Sequence, residues 1–509
     1  MQTVIPWQKR FHGHLLLLPA AMAAALVLYA TAIWGPGLAN DSFSYLTSAR
    51  NLTEGKGLVI PHVGRDIPLT AWPPLLPVAI SLLTLAGMEI HAAARILNVL
   101  LLAANVFLAS RLIKISTASL LPALTGGTLL ALSPTLLRAH SHVWSEPLFF
   151  LLYLVGLSIL ERYCRKPSLL LAVLFGLSTG LSCLARYAGL TMALTGTAVI
   201  LLLIREKRTV KARHCIFMLL PALLPVVLWF FRNMYLTDKA AHRRFIFRWP
   251  TLADISQVLG DVSLWILPKA IWPTARAAAL AVAGLALVWL AIVVLRRHRQ
   301  YISTPLPLIL IVFAVCYEAF IAVASLLADS AILAEERIQL PILIAAIIFI
   351  FSAVPRLSLS KPALRTATGL AIVFVALSLG RGLVWAGDAH LNGQSFSSAK
   401  WAASPTVQQV RLLPSNAQIF SNSPQLIYAQ TGRIVWRLPS RIGFTRLPNE
   451  NFETDMARLR QHINQSGGIM VVFRGLPLSH PLLESDIEAN IAVRRIFDGF
   501  DGVIFAPAE

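Results

Sequence analysis

"GLANDSFSYLTSARNLTEGKGL", residues 37 to 58, follows the apolar run 15–34 and sets a carboxylate, Asp41, just beyond its end. Tyr45 follows one helical turn later, and Tyr45, Ala49 and Leu52 recur at helical spacing. "DSFSYLTSARNL" therefore reads as an amphipathic helix on a membrane surface, with Asp41 near its N-terminus. An aspartate there has two readings. It can satisfy the orphan amides and macrodipole of the helix start, or it can serve chemistry.

The surroundings of this stretch are those of a membrane protein. The chain has 509 residues, is 56% hydrophobic and only 13% charged, and its apolar runs are too long and uniform for ordinary core helices. Eleven spans are expected, at 15–34, 92–113, 117–136, 148–163, 168–185, 188–204, 215–231, 277–295, 306–327, 340–354 and 363–385. Only helices satisfy their own backbone in lipid, so the spans are helical. The first follows Lys9 and Arg10 without a small-residue cleavage site and reads as a retained anchor. "WPPLLPVAISLLTLAGM", 72–88, could cross or lie at the interface. If it lies at the interface, the basic clusters fall on one side, as short cytoplasmic loops require. These are Lys9 and Arg10; Arg111 and Lys114; Arg162, Arg165 and Lys166; "REKRTVKAR" at 205–213; "RRHR" at 296–299; and Arg356, Lys361 and Arg365. The N-terminus is then inside and the C-terminus outside.

Much of the net charge of +20 sits in those inner loops, where basic residues orient helices and meet anionic headgroups. No basic face with interleaved aromatics lies elsewhere, so a nucleic-acid partner is not expected. Cys164, Cys183, Cys215 and Cys316 lie in or beside spans, which implies neither a disulfide framework nor a Cys-type metal site.

Long outer segments, 35–91, 232–276 and the tail from Asp388, stand out against short connections elsewhere. "LLRAHSHVWSEPLFF" at 136–150 brings His140, His142 and Glu146 to the face that holds Asp41. "LARYAGL" adds Arg186, "FRNMY" Arg232, and "LAEERIQLP" Glu335, Glu336 and Arg337. Ionisable groups gathered at one membrane face mark a substrate site.

The ordered set "NDSFSYLTSARNLTEGKGL", "WPPLLP", "SEPLFF" and "LARYAGL" resembles the GT-C superfamily of glycosyltransferases, in the branch of protein O-mannosyltransferases and the lipid A aminoarabinose transferase. The resemblance covers residues 13–240. It implies an all-α polytopic domain, and a hexosyl- or pentosyltransferase of the cell inner membrane that takes sugar from a polyprenyl-phosphate carrier. The acceptor (lipid, glycan or protein) lies outside the cytoplasm. By the same resemblance Asp41 is the catalytic base or acceptor-positioning carboxylate, and Tyr45 helps to hold the carrier phosphate. Glu146 is a second carboxylate for acceptor or metal, and Arg186 and Arg337 meet phosphate. Relatives often carry a second acid beside the first, whereas Asp41 stands between Asn40 and Ser42; the lysine near the WPP-equivalent position is also missing. Metal use and donor identity therefore stay open.

Plainer readings stand beside these. Tyr45 could belong to an interfacial aromatic belt, and Arg186, Arg232 and Arg337 could reach for headgroups. Glu146 before Pro147 could simply open a helix. His140 and His142, two apart, suit a satisfied polar pair better than ligands of a divalent ion. "HRRFIFRW" at 242–249 could meet carrier phosphate or anionic lipid. A transporter or flippase of a lipid-linked sugar is the alternative function; it would place ionisable groups at midspan, where Glu318 stands. A noncatalytic scaffold is the third.

The domain boundary is expected at 387, after a membrane domain (1–387) whose outer loop 35–91 is catalytic. The tail, 388–509, reads as a small α/β domain. "NAQIFSNS", "PQLIYAQTG" and "RIVWRLP" give strand, helix and strand; "FETDMARLRQHINQSGG" gives a glycine-closed helix; "IMVVFRG" a buried strand; and "ANIAVRRIFDGFDGVIFAP" a hairpin turning near Gly499 or Gly502.

Overall fold

The computed structural model describes residues 13–240, 247, 249–327, 336–357, 360–442, 448–476 and 484–508. Glu335 and most of "HRRFIFRW" lie outside the described residues. The chain divides into two compact units: Met1–Tyr29, Ile96–Tyr235 and Phe245–Gly387 form the first, and Ala30–Arg95, Leu236–Arg244 and Asp388–Glu509 the second. Residues 30–95, which include the first outer loop, group with the tail rather than with the apolar helices.

The first unit is helical throughout, and the whole chain is that of a multi-pass membrane protein. Among the described residues seven helical segments are long and apolar enough to cross a membrane: Ile90–Thr117, Glu146–Arg165, Arg208–Thr237, Pro273–Arg296, Leu306–Leu327, Glu336–Arg356 and Lys361–Asn392. His14–Ala30, Leu169–Ala185 and Tyr187–Leu203 are apolar but shorter. The expected span 117–136 is broken instead, into Leu120–Leu132 and Pro134–Ser141, which bend by 57°. Pro134 is the cause. It drives Ser133 out of the helical region, to φ −65° and ψ 114°, and Ser133 Oγ then caps the new helix at Leu136 N.

Leu169–Ala185 and Arg208–Thr237 pack through small residues. Gly176 and Gly180 stand one turn apart; a Cβ on Gly176 would lie 2.2 Å from the Met218 carbonyl, and one on Gly180 2.4 Å from that of Pro221. Pro225 lacks the N–H that would bond the Pro221 oxygen, so this carbonyl faces the bare glycine backbone. In lipid, such close approach supplies the dispersion that a hydrophobic driving force cannot.

In the second unit, Asn40–Thr53 is a helix, Val59–His62 and Arg65–Pro68 an antiparallel hairpin, and Leu75–Leu85 a short apolar helix. At 1.5 Å per residue the last spans about 16 Å, roughly half a hydrocarbon core. Asn40–Thr53 differs from a half-exposed amphipathic helix: Ser42 through Ala49, and Asn51, are buried. Small hydroxyl residues help to permit this where they bond their own helix, as when Thr47 Oγ1 donates to Phe43 O at 2.7 Å, although the buried Ser48 Oγ does not.

The tail forms the expected α/β layer. Its five strands run in the order Trp436–Arg437, Ile419–Ser421, Ile469–Phe473, Gly502–Pro507 and Val493–Gly499, the first three parallel and the last two antiparallel additions. Phe452–Ser466 closes on Gly467 in the left-handed region, as its sequence predicts. Val63, at the tip of the first-loop hairpin, is buried in the same core as Phe420, Leu459, Met470 and Phe505. Gly64 follows at φ +71°, where a side chain would also crowd His462.

Substituting Gly180→Ala should force the two helices apart and cost about 1–3 kcal/mol. The control Gly284→Ala, where the added carbon meets nothing within 4 Å, should leave the apparent melting temperature of the solubilised protein unchanged or raised.

Candidate active site

Candidate residues gather in both units. In the first, Ser145 precedes the helix Glu146–Arg165, whose opening Glu-Pro suits a first turn. Glu146 has its side chain only 2% exposed, and one carboxylate oxygen, Oε1, stands 2.7 Å from Arg186 Nη1 and 3.3 Å from Arg337 Nη1. Both contacts are charge contacts off the angle of a good hydrogen bond. Arg186 reaches Glu146 because Leu169–Ala185 ends there, in extended backbone; its Nη1 also donates to Ser145 Oγ at 3.1 Å. Arg337 comes from the turn Glu336–Gln339, pinned by Tyr317 OH donating to Ile338 O at 2.6 Å.

Aromatic faces hold these cations. Arg337 lies 4.9 Å from the Trp144 ring centre, and His142 stacks on the same ring at 4.3 Å. Trp229 Nε1 donates to Tyr187 OH at 3.2 Å, and Arg232 sits over the Trp229 ring at 4.6 Å while donating to Asn233 Oδ1. Glu336 accepts from Thr135 Oγ1 at 2.9 Å and stands 3.6 Å from Arg138. Glu318, the midspan candidate, is bonded to Gln339 beside that same turn.

The histidines serve the backbone. His140 Nδ1 donates to Leu136 O at 2.8 Å, so its bare Nε2 accepts from Asn105 Nδ2 at 3.0 Å. His142 Nδ1 donates to Arg138 O at 2.9 Å, and burial pushes this imidazole down to about 3, so it stays neutral among the arginines.

In the second unit Asp41 is in the first turn of Asn40–Thr53, but the N-cap position belongs to Ala39. Trp72 Nε1 donates to Asp41 Oδ1 at 3.3 Å. The Trp72 ring meets Tyr45 edge-on at 6.4 Å, and Tyr45 is buried. The WPP segment thus brings Trp72 onto both residues read from the opening stretch. Trp72 and Trp144 are partners of candidate residues that the sequence reading did not single out; each stands inside a quoted motif, where an indole beside a carboxylate or arginine was the available signal.

A divalent ion does not fit the described residues. No three His, Cys, Asp or Glu side chains among them gather, and Glu146 is surrounded by guanidinium groups, the wrong sign for a cation.

No known family pattern and no curated protein matches the chain. Solved structures do. ArnT from Cupriavidus metallidurans bound to undecaprenyl phosphate superposes with a TM-score of 0.60 at 14% identity, over 97% of this chain and 98% of that one. The chain has the GT-C fold. The same GT-C architecture relates it to the oligosaccharyltransferase of Archaeoglobus fulgidus, in a complex with Zn and sulfate, at a TM-score of 0.52, 12% identity and coverage of 89% and 68%. The mycobacterial arabinofuranosyltransferase AftD follows at 0.50 and 15% identity, over 97% of this chain and 42% of that one.

Glu146→Ala should leave two partly buried guanidinium groups without their counter-charge, a loss of about 3–5 kcal/mol read as a lower melting temperature. Stability contributed by neutral His142 is present in full above pH 6.5 and drains away as pH falls toward about 3. His142→Gln should flatten that acid slope in thermal unfolding.

Proposed function

We propose that this GT-C chain is a glycosyltransferase that moves a sugar from a polyprenyl-phosphate carrier to an extracytoplasmic acceptor. The observation that carries the reading is the pair of guanidinium groups, Arg186 and Arg337, drawn onto one buried carboxylate at helix ends. Glu146 orients the pair, and guanidinium groups are the paired, charge-assisted donors an anionic phosphate needs. With two arginines on one oxygen, Glu146 suits this holding role better than that of a proton acceptor. Arg232, over Trp229, is a further cation for the carrier. His142 stacks on the ring that holds Arg337, and His140 is buried against Asn105 and Phe150, so neither is given a substrate contact.

Asp41 is the base in this reading. An acceptor hydroxyl oxygen attacks the anomeric carbon, its proton passes to the Asp41 carboxylate, and the carbon–oxygen bond to phosphate breaks with the electron pair leaving on the phosphate. Tyr45 and Trp72 fix the carboxylate's position. One displacement of this kind inverts the anomeric centre. The fold relationship to an undecaprenyl-phosphate-bound structure supports a polyprenyl carrier. The basic loops support a cytoplasmic N-terminus in the inner membrane and a tail outside it.

The test is transfer of labelled sugar from cell-derived polyprenyl-phosphate donors to membrane acceptors, comparing parent, Asp41→Asn and Arg337→Ala at equal protein levels. Asp41→Asn should lose about 10²–10⁴-fold in rate. Arg337→Ala should lose mainly donor binding, and the product should carry the inverted anomeric configuration. Transfer undiminished in Asp41→Asn, or retention of configuration, would sink the mechanism; movement of lipid-linked sugar across vesicles without transfer would favour a flippase.

A further inference from the structure

The helix that carries Asp41 begins without a side-chain cap. Its N-cap is Ala39, whose side chain has no oxygen to offer the first amides, and Ser42 Oγ reaches back to accept from Ala39 N at 3.0 Å. An uncapped first turn frays, and Asp41 stands in that turn. A base whose place wanders by about 1 Å loses on the order of 10²-fold in rate. Something else has to hold the start of this helix.

The tail segment 391–431 does so, at four positions between residues 34 and 43. Trp34 Nε1 donates to Leu391 O at 3.0 Å. Phe396 N donates to Leu38 O at 3.0 Å, while Gln430 Nε2 holds the Phe396 carbonyl at 2.7 Å. Gln425 Nε2 donates to Asn40 Oδ1 at 2.8 Å, one residue before Asp41. Tyr428 then meets Phe43 edge-on at 5.5 Å. Gln425, Gln430 and Tyr428 share the short helix Pro424–Thr431, so one rigid element addresses residues on both sides of the carboxylate. Gln425 is fully buried, and its Oε1 has no bond partner among the described residues. A buried amide left half satisfied is costly, so a leucine would sit there more comfortably if packing were its whole task.

We infer that Gln425 is a positioning residue for the reaction: through Asn40 it fixes the first turn of the Asn40–Thr53 helix, and with it the Asp41 carboxylate, so that the tail domain is part of the catalytic apparatus. This rests on the assignment of Asp41 as base. The residue acts on the geometry of the acceptor's proton transfer and makes no contribution to donor binding.

The experiment compares full-length parent, Gln425→Leu, Asn40→Ala and the double variant in the labelled-donor assay, with Asp41→Asn alongside. Asn40 is exposed, so Asn40→Ala removes the same bond with no burial to disturb and covers the case in which Gln425→Leu folds poorly. Each single variant should lower kcat about 10- to 100-fold and leave the donor KM within about twofold, with the melting temperature unmoved in Asn40→Ala and unmoved or raised in Gln425→Leu. The double variant should be no worse than either single one, because one bond is removed in all three. Parent-like kcat in both single variants overturns the inference, as does a multiplicative loss in the double variant or a loss confined to donor KM. If Asp41→Asn turns over like the parent, the role of Asp41 falls and this inference with it. If Asp41→Asn is inactive while Gln425→Leu and Asn40→Ala turn over normally, only the inference falls.

Discussion

A buried carboxylate between two guanidinium groups governs the first unit. Arg186 and Arg337 lie some 150 residues apart in sequence, and each would be held in a low-dielectric setting at considerable cost if it stood by itself. Glu146 removes that cost and, in doing so, fixes where two helix ends and a turn must meet. The indole of Trp144 serves the same purpose on the other side, offering the negative face of a π system to Arg337 while His142, uncharged, fills the space behind it. The helices are thus held at one end by charge and along their length by close contact, as at Gly176 and Gly180.

This division of labour bears on chemistry. An arginine that is oriented by a carboxylate and a ring has little freedom to lose when an anion arrives. Asp41 has a different neighbour: an indole N–H donates to its Oδ1, and that indole meets the buried ring of Tyr45 edge-on.

Much of this was legible in the sequence because its causes are local. Apolar length marked the membrane helices, and Gly467 announced the end of its helix. The ordered loop motifs pointed to the GT-C fold that the comparison then found. Glu146, Arg186 and Arg337 were named from their place at helix ends, and they do meet. What was not legible depended on distant partners. The break at Ser133–Pro134 was hidden inside a uniformly apolar run. The Asn40–Thr53 helix reads as amphipathic by its periodicity, yet its polar face is buried, since Ser, Thr and Asn can satisfy their own hydrogen bonds under cover. Trp72 and Trp144 carried no periodic signal. Gln425 is an ordinary residue in an ordinary helix, and its bond to Asn40 spans 385 positions.

That separation has a consequence for biosynthesis. Val63 has its place among residues of the tail, and Asn40 finds its amide partner there. A nascent chain that grows at about 5–20 residues per second exposes the first loop roughly 20 to 80 s before Gln425 exists. Throughout that interval the loop is outside any completed core. The cell must keep the hairpin and its apolar tip from other engagements until the last residues arrive, so maturation of this protein is an end-to-end event.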